Sequence, residues 1–325
     1  DDDDDDDDFE EVPPLSTIQP RRIRPGSGSS QDSDIARRRF TPPPVSFHDE
    51  WSEASSEAPP ALVKMNNRTS MATRLKEKIH NRMVHQEFER LAKVRAEGSF
   101  NDAVHGGNRQ RNRYRDILPQ DHSRVRLPVS DDLDGEQSDY INASYIDGYH
   151  HKKAYIASQA PIKNTIDDFW NMIWHENIHV VGMLTNLVEQ NRIKCEKYWP
   201  DVGETKQFGH VTVSCADERE DANFIVREFT VGSDSTDELR HVVQCFYKSW
   251  PDYGVPQSPD VFVDYLQLID LYRHKSQDVQ APILLHCSAG IGRTGTFCAA
   301  HRLLEMFNDC GEMDLPGTVQ ALRNC

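Results

Sequence analysis

Cys287 and Arg293 stand six residues apart with two glycines between them, in the stretch His286-Cys287-Ser288-Ala289-Gly290-Ile291-Gly292-Arg293-Thr294-Gly295-Thr296. The apolar run ILLHC before it reads as a buried strand, and a helix pattern starts near Arg293. A short loop there would aim its backbone N–H groups at one point beside a helix N-terminus, which makes an anion cradle. Gly290 and Gly292 allow close approach of an oxyanion to the backbone. Arg293 can return over the same cavity and grip two oxygens of a phosphate. The same field favours thiolate over thiol at Cys287, and such surroundings bring a cysteine down from about 8.5 to roughly 3.5–7.5. One loop would therefore carry a nucleophile and bind its electrophile.

The elements that must position this loop are legible as patterns. Strand-like runs occur at 140–146, 153–158, 178–186, 209–214, 223–231, 240–250 and 282–287. Helical patterns lie at 165–176, 259–274, 293–308 and 316–323, and residues 99–112 read as a loop. Leu75, Ile79, Val84, Phe88, Leu91 and Val94 make a further helical stripe ending near Gly98. The mixture predicts an α/β (α+β) fold, a mixed sheet covered by helices. The runs 178–186 and 282–287 lack polar alternation, which predicts central strands.

The chain has 325 residues, a net charge of −16 and 37% apolar residues, with a mean hydropathy of −0.70. The excess of acid disfavours nucleic acid and anionic membrane as main partners, and no apolar run is long enough to span a membrane. Residues 1–60 hold 16 acidic against 6 basic residues and nine of the 18 prolines, starting with eight aspartates. This composition predicts a disordered segment over 1–70 and a folded domain over 71–325. Seven cysteines, odd in number and without CxxC spacing, predict reduced thiols and no zinc site. Cys215, Cys245, Cys298 and Cys310 read as small buried hydrophobes. No metal or cofactor is expected.

The 286–296 loop resembles the signature of the Cys-dependent protein tyrosine phosphatases, and the likeness extends over about 85–325. Asn112-Arg113-Tyr114-Arg115-Asp116 is similar to the family's phosphotyrosine-recognition loop, and Trp250-Pro251-Asp252 to its mobile acid loop. Asp139-Tyr140-Ile141-Asn142-Ala143-Ser144, Asp168-Phe169-Trp170 and Lys194-Cys195 before Tyr198-Trp199-Pro200 match further landmarks. Gln159-Ala160-Pro161 stands where the family usually has QGP. The resemblance implies a phosphotyrosine hydrolase working through a phosphocysteine. Cys287 would attack phosphorus, while the amides of 288–293 (Ser288, Ala289, Gly290, Ile291 and Gly292 among them) and the Arg293 guanidinium would hold the charge. Asp252 would protonate the leaving phenolate and then take a proton from water. Trp250 and Pro251 would hinge its loop, Thr294 would assist the sulfur as leaving group, and His286 would tune the thiolate. Glu189 would pair with Arg293, and Lys194 with Asp252 on closure. Tyr114 would stack on the substrate ring and make the pocket too deep for phosphoserine. Asp116 would accept from the substrate backbone, and Arg115, with Arg113 at the same mouth, would favour acidic flanking residues.

In the family a glutamine-bearing loop that positions water and a closing helix follow the 316–323 helix, whereas this chain ends at Cys325. A fragment is the first reading of that end. A phosphotyrosine-binding pseudophosphatase is the alternative function, separable by a burst of phenolate without steady turnover. NRYRD and WPDYGVP lean toward the non-receptor branches. The expected location is the cytoplasm, or the cytoplasmic face of a membrane if an upstream span exists.

Overall fold

The computed structural model describes residues 60–92, 98–129, 138–251, 254–256 and 258–325. The expectation of disorder over 1–59 and the proposed acid Asp252 lie outside the described residues.

Eleven strands and seven α-helices are formed among them. The chain begins with α1 (Pro60–His80) and α2 (Met83–Ala92), then α3 (Asn101–Val104) and a 3-10 turn over Gly106–Arg111. Strands β1 (Arg124–Arg126), β2 (Tyr140–Ile146) and β3 (Tyr155–Ser158) lead to α4 (Ile166–His175) and β4 (Val180–Met183). The two-residue strands β5 (Val188–Glu189) and β6 (Arg192–Ile193) pair only with each other. A meander follows: β7 (Thr205–Phe208), β8 (Val211–Glu220), β9 (Phe224–Ser233) and β10 (Thr236–Tyr247). Last come α5 (Pro259–Lys275), β11 (Ile283–His286), α6 (Gly292–Cys310) and α7 (Leu315–Arg323).

Nine strands join in the order β1-β2-β3-β11-β4-β10-β9-β8-β7. β11 runs parallel to both β3 and β4, and β10 parallel to β4, while the outer pairs are antiparallel. The two runs predicted as central are therefore neighbours at the centre of a mixed sheet. All four β11 residues are buried, because helices cover both faces there. On one face α4 buries Phe169, Trp170, Met172, Ile173 and Trp174. On the other, α5 and α6 bury Tyr265, Leu266, Ile269 and Phe297. Aromatic rings dominate both layers, and each buried ring removes a large apolar area from water.

Four expectations need correction. α1 begins at Pro60, inside the stretch 1–70 that composition assigned to disorder. Arg68 reaches the Asn308 carbonyl (2.7 Å) and Arg74 pairs with Glu312 (2.7 Å), so its later turns dock on the end of α6. The single stripe at 75–94 is broken after His80, where Arg82 takes φ 55°. Ile79 and Phe88 stay largely exposed, with the Arg323 guanidinium over the Phe88 ring. Residues 99–112 form α3 and the 3-10 turn rather than an open loop; Asp121 accepts the N–H groups of Asn101 and Asp102 and so starts α3 from a distance. All seven cysteines are free, but Cys310, expected inside, is exposed.

Candidate active site

Cys287 follows the last residue of β11 and is 5% exposed. Beyond it the chain turns tightly into α6. Gly290 adopts φ 79°, and a Cβ there would lie 2.6 Å from the carbonyl carbon and oxygen of Ser158 and 2.8 Å from the Gln159 nitrogen. Only glycine fits both the left-handed backbone and that approach to β3. The Ser288 carbonyl accepts from the Ala160 N–H (3.0 Å), and the His286 carbonyl from the Leu184 N–H (2.8 Å). The loop is thus sewn to the ends of both neighbouring strands. No side chain caps α6. Among the described residues, no protein acceptor is found for the N–H groups of 288–292. Five consecutive donors at a helix N-terminus, beside a buried thiol, form an anion site by both hydrogen bonding and the helix dipole.

Gly290→Ala should lower thermal stability by about 1–3 kcal/mol through strain alone. It should also cut kcat about tenfold or more, because small misplacements of reacting groups are expensive. A melting temperature and kcat both unchanged would show that the close approach is dispensable.

Arg293 is held in place by Glu189. Its two terminal nitrogens donate to the two carboxylate oxygens at 2.8 and 2.9 Å, and Nη1 also donates to the Leu184 carbonyl (2.8 Å). The pair is about nine-tenths buried, a fork-on-fork arrangement that aims the guanidinium. Glu189 in turn accepts from the Asn186 N–H (3.2 Å) and the Thr185 hydroxyl (3.3 Å). It sits on the hairpin of β5 and β6, whose two turn residues Gln190 and Asn191 both have positive φ, the combination that matches strand twist in a two-residue turn. Lys194 leaves this hairpin half-buried, with its carbonyl accepting from the Ser288 hydroxyl (3.1 Å).

Tyr114 is half-buried, and its hydroxyl lies 2.9 Å from Ser288 Oγ, so residues 112–116 meet the loop after Cys287. Arg115 and Asp116 are exposed beside it. Arg113 is not a free rim charge. Its guanidinium donates to the carbonyls of Ala160 (3.2 Å), Pro161 (2.6 Å) and Ile193 (3.3 Å), and burial lowers its pKa. Sequence reasoning also missed two amide side chains. Asn112 Oδ1 accepts from Tyr140 (2.5 Å) and Asn142 (2.9 Å), while its Nδ2 donates to Ala103 and Asn108 carbonyls. Gln159 accepts from the Arg113 N–H (2.8 Å) and donates to the Arg111 carbonyl (2.8 Å), clamping the backbone before Tyr114. The Gln159-Ala160-Pro161 motif carried the signal, but not what it would bind.

Thr294 is fully buried, and its hydroxyl has no hydrogen-bond partner among the described residues, so no bond to Cys287 Sγ is formed here. His286 is fully buried, its Nε2 2.9 Å from the Tyr198 hydroxyl and its Nδ1 3.3 Å from the Cys287 carbonyl. Burial pulls its pKa down to about 4, so the ring is neutral at pH 7. Trp250 is buried against Phe262 and Tyr247 and its indole donates to the Gly254 carbonyl (3.5 Å); Pro251 is half-buried. These two residues and Gly254, at φ 126°, bracket Asp252. Among the described residues no cluster of three His, Cys, Asp or Glu side chains is placed to hold a metal ion.

Residues 108–325 match the family model described as protein-tyrosine phosphatase. The human receptor-type tyrosine-protein phosphatase eta is 41% identical over 238 residues, which is 73% of this chain and 17% of that protein. Its chicken (Gallus gallus) counterpart is 42% identical over the same shares. The rat (Rattus norvegicus) receptor-type tyrosine-protein phosphatase V is 41% identical over 239 residues, 73% of this chain and 14% of that protein. The chain thus spans about a sixth of the length of these curated relatives. All three are named receptor-type, against the non-receptor lean of NRYRD and WPDYGVP.

Proposed function

Since the chain belongs to the protein-tyrosine phosphatase family, we propose that it hydrolyses phosphotyrosine in proteins through a phosphocysteine intermediate. The observation that carries the reading is the cradle: the five backbone N–H groups of 288–292, without protein acceptors among the described residues, follow buried Cys287, with Arg293 aimed by Glu189. Cys287 Sγ attacks phosphorus, and the bond from phosphorus to the tyrosine oxygen breaks. Asp252 gives its proton to that departing oxygen, so tyrosine leaves neutral. Water then attacks the phosphocysteine, Asp252 recovers a proton from it, and the thiolate departs as phosphate forms. The loop amides and Arg293 hold the equatorial oxygens in both steps, where preorganised donors act most strongly. Thr294, whose buried hydroxyl has no partner among the described residues, assists the leaving sulfur.

Tyr114 sets the depth of the pocket, and exposed Arg115 and Asp116 engage the substrate backbone and acidic flanks. The seven free thiols and the receptor-type relatives support work on the reducing, cytoplasmic side of a membrane; no helix among the described residues is long and apolar enough to cross one. The test is phosphate release by the chain from matched phosphotyrosine and phosphoserine peptides. Only the phosphotyrosine peptide should turn over, and Tyr114→Ala should lower its kcat/KM about tenfold, the worth of one aromatic stack. Equal rates on both peptides would overturn the assignment.

A further inference from the structure

A chain of buried polar side chains runs along one face of the sheet from β9 to the carbonyl of Cys287, and its direction is fixed at one end. Arg227 on β9 donates from Nη1 to Gln244 Oε1 (2.8 Å). Gln244 on β10, fully buried, donates from Nε2 to the Tyr198 hydroxyl (2.6 Å). That hydroxyl is 2.9 Å from His286 Nε2, and His286 Nδ1 is 3.3 Å from the Cys287 carbonyl. Glu218 on β8 holds the Arg227 Nε at 2.6 Å, and Trp199 stacks under the guanidinium at 4.5 Å.

A guanidinium has donors and no acceptor. The Gln244 atom facing Arg227 must therefore be oxygen, so its amide nitrogen faces Tyr198. That nitrogen can only donate, which leaves the single tyrosine proton for His286 Nε2. Nε2 then accepts, and the imidazole proton sits on Nδ1, where it donates to the Cys287 carbonyl. In a trans peptide the carbonyl and the following N–H point opposite ways. A Cys287 carbonyl held toward His286 thus turns the Ser288 N–H, the first donor of the cradle, the other way.

We propose that Arg227 and Gln244 are positioning residues that impose the Nδ1–H tautomer on His286 and through it orient the Cys287–Ser288 peptide. The proposal rests on the phosphatase reading only for its catalytic consequence. The other neighbours of His286 cannot set the tautomer. Arg113 acts on it through its charge, and the Phe169 ring meets it edge-on at 5.6 Å.

The test uses the whole chain labelled with 15N-histidine, with Gln244→Glu as the decisive variant. The new carboxylate beside Arg227 accepts but does not donate, so the tyrosine proton must turn toward it and the His286 proton must move to Nε2. In the parent, the His286 ring nitrogens should show a protonated Nδ1 and an unprotonated Nε2 from pH 6 to 8. Gln244→Glu should exchange the two shifts, and iodoacetamide should alkylate Cys287 about fivefold more slowly at pH 6, the scale of one reoriented hydrogen bond. Its kcat should fall by a similar factor with KM within about twofold. Arg227→Lys retains an obligate donor and should retain the parent tautomer, whereas Arg227→Met should give a mixture. If Gln244→Glu fails to fold, Tyr198→Phe breaks the chain at its middle, with loss of the same Nε2 signature expected. A protonated Nε2 in the parent, or unchanged shifts and alkylation in the folded variants, would overturn the relay. The shifts and alkylation need no turnover. A relay that responds in a chain without phosphatase activity would uphold this proposal and reject the proposed function; an active chain with the wrong tautomer would do the reverse.

Discussion

Cys287→Ser is expected to leave no measurable hydrolysis while phosphotyrosine peptides still bind. Sulfur is the only atom of the proposed nucleophile that changes, and a serine hydroxyl is a far weaker nucleophile than a cysteine sulfur. The cradle survives, because it is built from backbone N–H groups and from Arg293 on its Glu189 support. A missing nucleophile raises the barrier by several kcal/mol, and each 1.36 kcal/mol is about tenfold in rate. Binding is read by fluorescence anisotropy of a labelled phosphopeptide, turnover by phosphate release. Residual turnover within about tenfold of the parent would sink the assignment of Cys287. Lost binding with the fold intact would place the cradle elsewhere.

Asp252→Ala should lower kcat on a phosphotyrosine peptide by roughly 10² to 10⁴, the ordinary range for general acid catalysis. The same change should matter far less for an aryl phosphate whose phenolate is already a good leaving group. The contrast between the two substrates is the diagnostic quantity, since a misfolded loop would reduce both rates alike. The basic limb of the kcat profile should also flatten, because that limb reports the acid in the enzyme–substrate complex. An equal loss on both substrates would remove Asp252 from the role. Two residues before it, Trp250 is buried among Tyr247 and Phe262 and donates to the Gly254 carbonyl.

The site was readable where chemistry constrains residue type. A thiol, two glycines and an arginine at fixed spacing have few other uses, and the pairing of Arg293 with Glu189 followed from the family resemblance. Central strands were readable because burial on both faces removes the polar alternation, as in 282–287. What escaped was set by partners distant in the chain. Arg113 looks like a surface charge until Ala160, Pro161 and Ile193 present it with three carbonyls. Asn112, Gln159 and Gln244 are amides that any loop or strand edge tolerates, and only the folded neighbours give each a fixed orientation. The stripe at 75–94 is helical in its described part but broken, because periodicity does not report the left-handed turn at Arg82. Strands as short as β5 and β6 leave no period to read.

The place of β11 between β3 and β4 bears on the order in which the molecule assembles. Its two hydrogen-bonded neighbours lie roughly a hundred residues or more upstream, so a large loop must close before either parallel ladder forms, and such long-range pairing is slow. Until the strand inserts, β3 and β4 each present an unpaired apolar edge, the kind of surface through which chains associate wrongly during synthesis or refolding. The same insertion brings Cys287 to the mouth of the sheet and lets Gly290 settle against Ser158. Reactivity is therefore acquired at the close of folding, and a partly folded chain carries a thiol with no cradle around it.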